Sequence, residues 1–212
     1  ETVYLICMAL LFFSFTLTFY IKYNHQKNNE KISVDNFFAG LKFIFKNKIL
    51  LGAISLDLFA VLLGGATALL PIYAKDILNA GPEGLGLLRA SPAFGALICA
   101  LLITKWPIKK QVGKKLFFSV TIFGVSMLVF GLSTNFMLSI FALIIAGAAD
   151  SFSVIIRMSL IQLDTPNRMR GRVSSVNAIF IGASNELGEF ESGLTASFFG
   201  PVGSIVMGSI GT

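Results

Sequence analysis

The chain has 212 residues, of which 55% are hydrophobic and 13% are charged, whereas about a quarter of a soluble domain is charged. This composition excludes an ordinary soluble domain and predicts an all-α membrane protein. The net charge of +6 does not indicate a nucleic-acid partner. The basic residues lie between long apolar runs, where membrane topology explains them, and the expected partner is the lipid bilayer.

Five apolar runs are long enough to cross a bilayer, which takes about 20 residues. A sixth run is interrupted by acidic residues, and a seventh begins near Val202. Lipid offers the backbone no hydrogen-bonding partner, so we expect each full run to be helical. The six predicted spans are approximately Val3–Tyr20, Ile49–Tyr73, Leu85–Thr104, Leu116–Ser133, Phe136–Ile161 and Val173–Phe199.

The basic residues predict the orientation of these spans. They cluster in alternate loops, which must share one side of the membrane, and the positive-inside rule makes that side cytoplasmic. The N-terminus is then expected outside. The clusters are Lys22 to Lys48 after the first span, Lys105 to Lys115 after the third, and Arg168 to Arg172 after the fifth.

We expect three parts along the chain. Residues 1–23 form a transmembrane helix, residues 24–48 a cytoplasmic linker, and residues 49–212 a helical bundle whose last helix is truncated. The linker carries apolar residues at helical spacing behind a possible cap, Ser33. This pattern fits a helix on the inner membrane surface or one packed on the protein. The chain starts at Glu1 and ends in an apolar run, so we expect a piece of a longer protein.

Three stretches of the sequence are similar to the major facilitator superfamily, in particular to its bacterial branch of enterobactin exporters and macrolide-efflux-like permeases. They are Ser55–Pro71 continuing to Ala90, Asp164–Val173 and Gly182–Gly193. The resemblance implies two six-helix halves around a substrate cavity. This chain would then contain the sixth helix, the C-terminal half and a cut twelfth helix, and its partner would be the missing N-terminal half.

The resemblance also implies a function. The protein would be a secondary active transporter in the bacterial inner membrane, exporting a small organic molecule such as a siderophore or drug by proton antiport with alternating access. A family loop motif is echoed at Pro107–Lys115 without its acidic residue. The expected cytoplasmic gate comprises Lys109, Lys110, Gly113, Lys114, Asp164, Arg168, Arg170, Gly171 and Arg172.

Ionisable residues inside apolar spans are costly and are often functional. Each has a simpler alternative, as a buried ion pair, a snorkelling side chain or a solvated group at a cavity mouth. Asp150 and Arg157 share a helical face, and Glu191 points away from the other acids of its span. The candidates for substrate binding and proton coupling are Asp57, Arg89, Asp150, Arg157, Asn185, Glu186 and Glu189.

The sixth span also carries a small residue every fourth position, which predicts close packing against another helix. This stripe consists of Ser184, Gly188, Ser192, Ala196 and Gly200.

No catalytic set, metal-ligand spacing or phosphate-binding loop is present in the sequence. We therefore expect neither an enzyme nor a cofactor or metal. The alternative to a transporter is a non-transporting membrane scaffold or accessory subunit, which has little reason to keep carboxyl groups inside its spans.

Overall fold

The computed structural model describes residues 2–20, 34–106 and 111–212. All regular elements in these ranges are helical, which confirms the predicted all-α class. The chain divides into two compact units, residues 1–33 and 34–212. The helices are α1 (Thr2–Thr18), α2 (Val34–Lys46), α3 (Lys48–Gly64), α4 (Leu70–Ile72), α5 (Pro82–Lys105), α6 (Val112–Leu132), α7 (Phe136–Asp164) and α8 (Arg170–Gly211).

Five helical stretches of the described residues are long and apolar enough to span a membrane. They are Lys48–Ile77, Pro82–Lys105, Val112–Leu132, Phe136–Asp164 and Arg170–Gly211. Helix α1 is shorter but apolar. Its Thr16 hydroxyl donates to the Phe13 carbonyl oxygen at 2.7 Å, and its Thr18 hydroxyl donates to the Ser14 carbonyl oxygen at 2.9 Å. Hydroxyls bonded within their own helix can face lipid without an unpaired polar group.

Helix α2 lies in the predicted linker and packs on the bundle. Ile44 is 1% exposed and belongs to a buried cluster, while Phe38 and Phe45 remain exposed. A Cβ added at Gly40 would lie 2.9 Å from the Arg172 carbonyl oxygen, so α2 touches the start of α8. The proposed cap Ser33 lies outside the described residues. The cluster consists of Ile44, Leu50, Ile54, Ile161, Val173 and Val176.

The second predicted span is not one continuous helix. Helix α3 is capped by the Asn47 side chain, which accepts from the Ile49 and Leu50 amides at 3.1 and 3.3 Å. It ends at Gly64, and a 3-10 turn (Ala66–Leu69), α4 and a π-helical turn (Tyr73–Ile77) carry the chain on. The Gly64–Gly65 pair, where the sequence allows a bend, is therefore the site of a break.

Small residues let the helices of the bundle approach closely. A Cβ added at Gly95 or Gly147 would overlap the backbone of the opposite helix, so α5 and α7 cross at these two residues. A Cβ added at Gly188 would lie 2.9 Å from the Val61 carbonyl oxygen, which places α8 directly against α3. Ser184, Gly188 and Ser192 are buried, so the predicted small-residue stripe does mediate helix packing.

Helix α8 reverses direction within its length. Gly200 has φ 75° and ψ 166°, and Pro201 follows it, so residues 170–199 and 201–211 form two limbs. The Ser204 hydroxyl donates to the Ser192 carbonyl oxygen at 3.0 Å, which ties the limbs together. The Thr212 hydroxyl donates to the Ala60 carbonyl oxygen of α3 at 3.5 Å. The predicted boundary between the sixth and seventh apolar runs is confirmed at this glycine.

Candidate functional site

The acidic residue of α3, Asp57, is paired inside the bundle. Asp57 is 5% exposed and Arg157 of α7 is 2% exposed, and the Arg157 guanidinium forms an ion pair with the Asp57 carboxylate. The Ser153 hydroxyl, one turn before Arg157, donates to Asp57 Oδ1 at 3.4 Å. Burying two charges is costly, and their mutual attraction together with further hydrogen bonds repays that cost only in good geometry.

Two polar atoms beside this ion pair have no hydrogen-bonding partner among the described residues. They are Arg157 Nε and the Oδ1 atom of Asn177, a residue of α8 that is 1% exposed. Asp57, Arg157, Asn177 and Ser184 border the same small gap between α3, α7 and α8. The site therefore joins three helices through polar groups. Asn177 was not among the candidates predicted from the sequence. An amide side chain inside an apolar span is the signal that could have identified it.

A cavity of about 450 Å³ lies next to the ion pair, between α3, α5, α6, α7 and α8. Asp150, Asn185, Glu186 and Glu189 supply most of its polar lining, so four of the seven predicted substrate and coupling residues meet here. Glu191 does not line it, as its position on the helix predicts. The apolar lining, which sequence reasoning missed, includes Phe123, Met127, Phe130 and Leu143. These residues read as ordinary span residues, because nothing in a sequence marks which apolar side chains face a cavity.

The broken helix forms one wall of the cavity. Gly64, Gly65, Thr67 and Leu70 all line it, so the chain leaves regular helical geometry next to the open space. Irregular backbone at membrane depth is tolerated where it lines a water-filled cavity or is buried in protein. The break thus suits a site that holds water or a solute.

Asp150 connects the cavity with the ion pair. It lines the large cavity and also a small void of about 10 Å³ that Asp57, Ser119 and Ser153 border. A void of about 10–15 Å³ with several polar partners has the size of a single water site. Polar groups therefore follow one another from Asp150 through Ser153 to the Asp57 carboxylate.

The remaining predicted residues lie apart from this cavity. Arg89 is exposed on α5 and does not line it. Asp164, Arg168, Arg170, Gly171 and Arg172 cluster where α7 ends and α8 begins, and Arg170 Nε donates to the Thr165 carbonyl oxygen at 3.2 Å. This bond ties the start of α8 to the preceding turn.

The basic loop before α6 differs from the expectation in one detail. The match of Gly113 to the family motif predicts a tight turn at that residue. In the structure Gly113 and Lys114 lie in the first turn of α6, and the left-handed residue is Gln111, with φ 56°. A left-handed backbone is uncommon for a residue other than glycine. Lys109 and Lys110 lie outside the described residues.

Comparison with known proteins identifies the family. Residues 1–188 match the model of the Major Facilitator Superfamily. The chain is 29% identical over 164 residues to a protein of Bacillus subtilis (strain 168) described as "Putative bacilysin exporter BacE", covering 77% of this chain and 41% of that protein. A protein of Bacillus amyloliquefaciens with the same description is 29% identical over 158 residues, covering 74% of this chain and 39% of the relative.

The chain thus spans about two fifths of the length of these curated relatives. No solved structure gives a significant match. The family match covers far more than half of the chain, and the apolar helices agree with a multi-pass membrane protein. The chain belongs to the major facilitator superfamily, a family of membrane transporters.

Proposed function

We propose that the intact protein is a secondary active exporter of a small organic molecule, driven by proton antiport across the bacterial inner membrane. The observation that carries this proposal is the lining of the 450 Å³ cavity, in which three carboxyl groups face open space. Cavities of about 300–1,000 Å³ accommodate drug-sized ligands. Proton carriers in membrane transporters are characteristically carboxyl or imidazole groups held inside the spans.

Each polar group has a role in this proposal. Asp150, Glu186 and Glu189 take up and release protons, and Asn185 offers hydrogen bonds to the substrate. The Asp57–Arg157 pair holds α3 against α7 and responds to the protonation of Asp150 through Ser153. Arg89 attracts anionic substrates from outside the cavity. The basic residues at the α7–α8 turn and before α6 stabilise the closed cytoplasmic gate.

In this account the chain supplies the sixth helix, the linker and the C-terminal half of the transporter, up to the start of its twelfth helix. The N-terminal half supplies the rest of the cavity wall, and the two halves rock about the site to give alternating access. The substrate is then a siderophore, a macrolide or another amphipathic compound. Bacilysin joins these candidates because the relatives are described as bacilysin exporters.

A transport assay tests the proposal. The intact protein is reconstituted into proteoliposomes, and uptake of each candidate compound is measured with and without an imposed pH gradient. Accumulation that requires the gradient supports proton antiport. Binding without transport, for every candidate and either gradient direction, would favour the non-transporting scaffold instead. The three carboxyl groups in the cavity favour a transporter over a scaffold, because a scaffold does not need carboxyl groups inside its spans.

A further inference from the structure

A second large recess lies on a different face of α7 from the one that carries Arg157. Helices α5 and α6 both pack on α7, and a groove of about 650 Å³ remains between them. Ile145, Ala148, Ala149 and Phe152 of α7 form its floor. Its α5 wall runs from Ile98 to Trp106, which is about 12 Å of helix at 1.5 Å per residue.

The walls of this groove are apolar over most of their length. Its lining includes one hydroxyl group, that of Ser119, and one thiol, that of Cys99. The Ser119 hydroxyl donates to the Ala149 carbonyl oxygen at 2.6 Å, so its hydrogen is not available to a ligand. A polar solute would therefore find few partners along the groove. A hydrocarbon chain would fit it without leaving a buried polar group unpaired.

The mouth of the groove has a different character. Lys114 and Lys115, in the first turn of α6, line one side of it, and Trp106 lines the other. Trp106 is 63% exposed, and the Lys105 ammonium lies 5.1 Å from its ring centroid. Tryptophan collects at the headgroup level of bilayers. We therefore expect Trp106 to lie at the membrane surface and the two lysines at the level of lipid phosphates.

We propose that this groove is a binding site for an anionic phospholipid, with an acyl chain between α5 and α6 and the headgroup phosphate on Lys114 and Lys115. The chemistry that selects the lipid is the combination of an apolar channel with two cations at its end. Basic residues next to the membrane attract anionic lipids by about 1 kcal/mol each. Two of them correspond to a preference of about 30-fold over a zwitterionic lipid of the same chain length.

Native mass spectrometry of the intact transporter tests this site. The protein is incorporated into nanodiscs containing equal amounts of phosphatidylglycerol and phosphatidylethanolamine, and the lipids retained after release are counted. We expect phosphatidylglycerol to dominate, and K114Q/K115Q to lose most of this preference. K75Q is the matched control, because Lys75 is exposed in the π-helical turn outside the groove, and it should keep the preference.

A second variant separates the groove from its charged mouth. A148W fills the groove from its floor without altering a charge. It should reduce the retention of both lipids at this site. Inorganic phosphate should not displace the lipid, because it cannot occupy the apolar channel. Equal retention of phosphatidylglycerol by K114Q/K115Q and K75Q would overturn the proposal. In a C99S background, efficient disulfide cross-linking between F118C and a cysteine introduced outside α5, α6 and α7 would also overturn it, since that would show a protein segment filling the groove.

Discussion

The Arg157 guanidinium of α7 and the Asp57 carboxylate of α3 form a buried ion pair between residues 100 positions apart in sequence. Both side chains are almost entirely inaccessible. Removing one partner leaves an uncompensated charge inside the bundle, whereas removing both leaves none. Each of the two charges is therefore tolerated inside the bundle only because the other is present.

This relationship makes a prediction about stability. R157L should lower the free energy of unfolding by about 3–5 kcal/mol, because Asp57 stays buried without its cation. The double variant D57L/R157L should recover most of that loss. Thermal unfolding of the intact protein in detergent measures both effects. R89L serves as the control, because the exposed Arg89 contributes no such pair, and a change within about 0.5 kcal/mol is expected. A double variant no more stable than R157L would contradict the pairing.

The crossing of α5 and α7 predicts that Gly147 tolerates no side chain. The added Cβ of G147A would lie 2.6 Å from the carbonyl carbon of Pro92, so the helices must separate. We expect a loss of about 1–3 kcal/mol, as in overpacked cores. G182A is the matched control, because a Cβ at Gly182 meets nothing within 4 Å. That change should be neutral or stabilising, since alanine favours a helix by up to about 1 kcal/mol. Equal unfolding temperatures for the two variants would refute the close crossing.

The reversal of α8 depends on Gly200. Its backbone conformation, φ 75° and ψ 166°, is essentially restricted to glycine, and a side chain there costs about 1–3 kcal/mol. G200A should therefore destabilise the protein by that amount. G193A should not, because Gly193 lies in the regular part of the same helix and an added Cβ there meets nothing within 4 Å. A chemical denaturation series of the two variants distinguishes them, and an unaffected G200A would mean that α8 continues without the reversal.

Water access to the cavity predicts a pattern of thiol reactivity. In a background with Cys7 and Cys99 replaced by serine, a cysteine in place of Glu186 should react with a charged, membrane-impermeant thiol reagent. A cysteine in place of Leu187 should not, although Leu187 is 56% exposed, because it lies outside the cavity and points about 100° around the helix from Glu186. The reagent needs an ionised thiol, which requires water. Similar labelling rates at the two positions would show that the cavity is dry or that α8 is rotated.

The helices themselves could be predicted from sequence, because lipid imposes long apolar runs and intrahelical hydrogen bonds. The end of the sixth span near Phe199 could be predicted from the apolar runs, and the small-residue stripe around Gly188 from its four-residue spacing. The bend at Gly64 and Gly65 was foreseeable as a weak point in the helix. That it is a full break, continued by 3-10 and π turns, depends on packing against α8 and α6 that no local pattern reveals.

The site was predictable in its members more than in its partnerships. A buried charge had to find a partner, so Asp57 and Arg157 were both foreseeable as half of an ion pair. Their pairing with one another requires the relative register of α3 and α7, which a single sequence does not contain. The turn before α6 shows the same limit, since Gln111 takes the left-handed conformation and nothing in the sequence marks that residue.

Proton coupling by Asp150, which lies between the cavity and the ion pair, is tested by comparing D150N with wild type in proteoliposomes loaded with a transported compound. D76N is the control, because Asp76 is exposed in the π-helical turn. If Asp150 couples protons to transport, D150N loses accumulation driven by a pH gradient while it still exchanges internal for external substrate. Undiminished gradient-driven accumulation by D150N would contradict it.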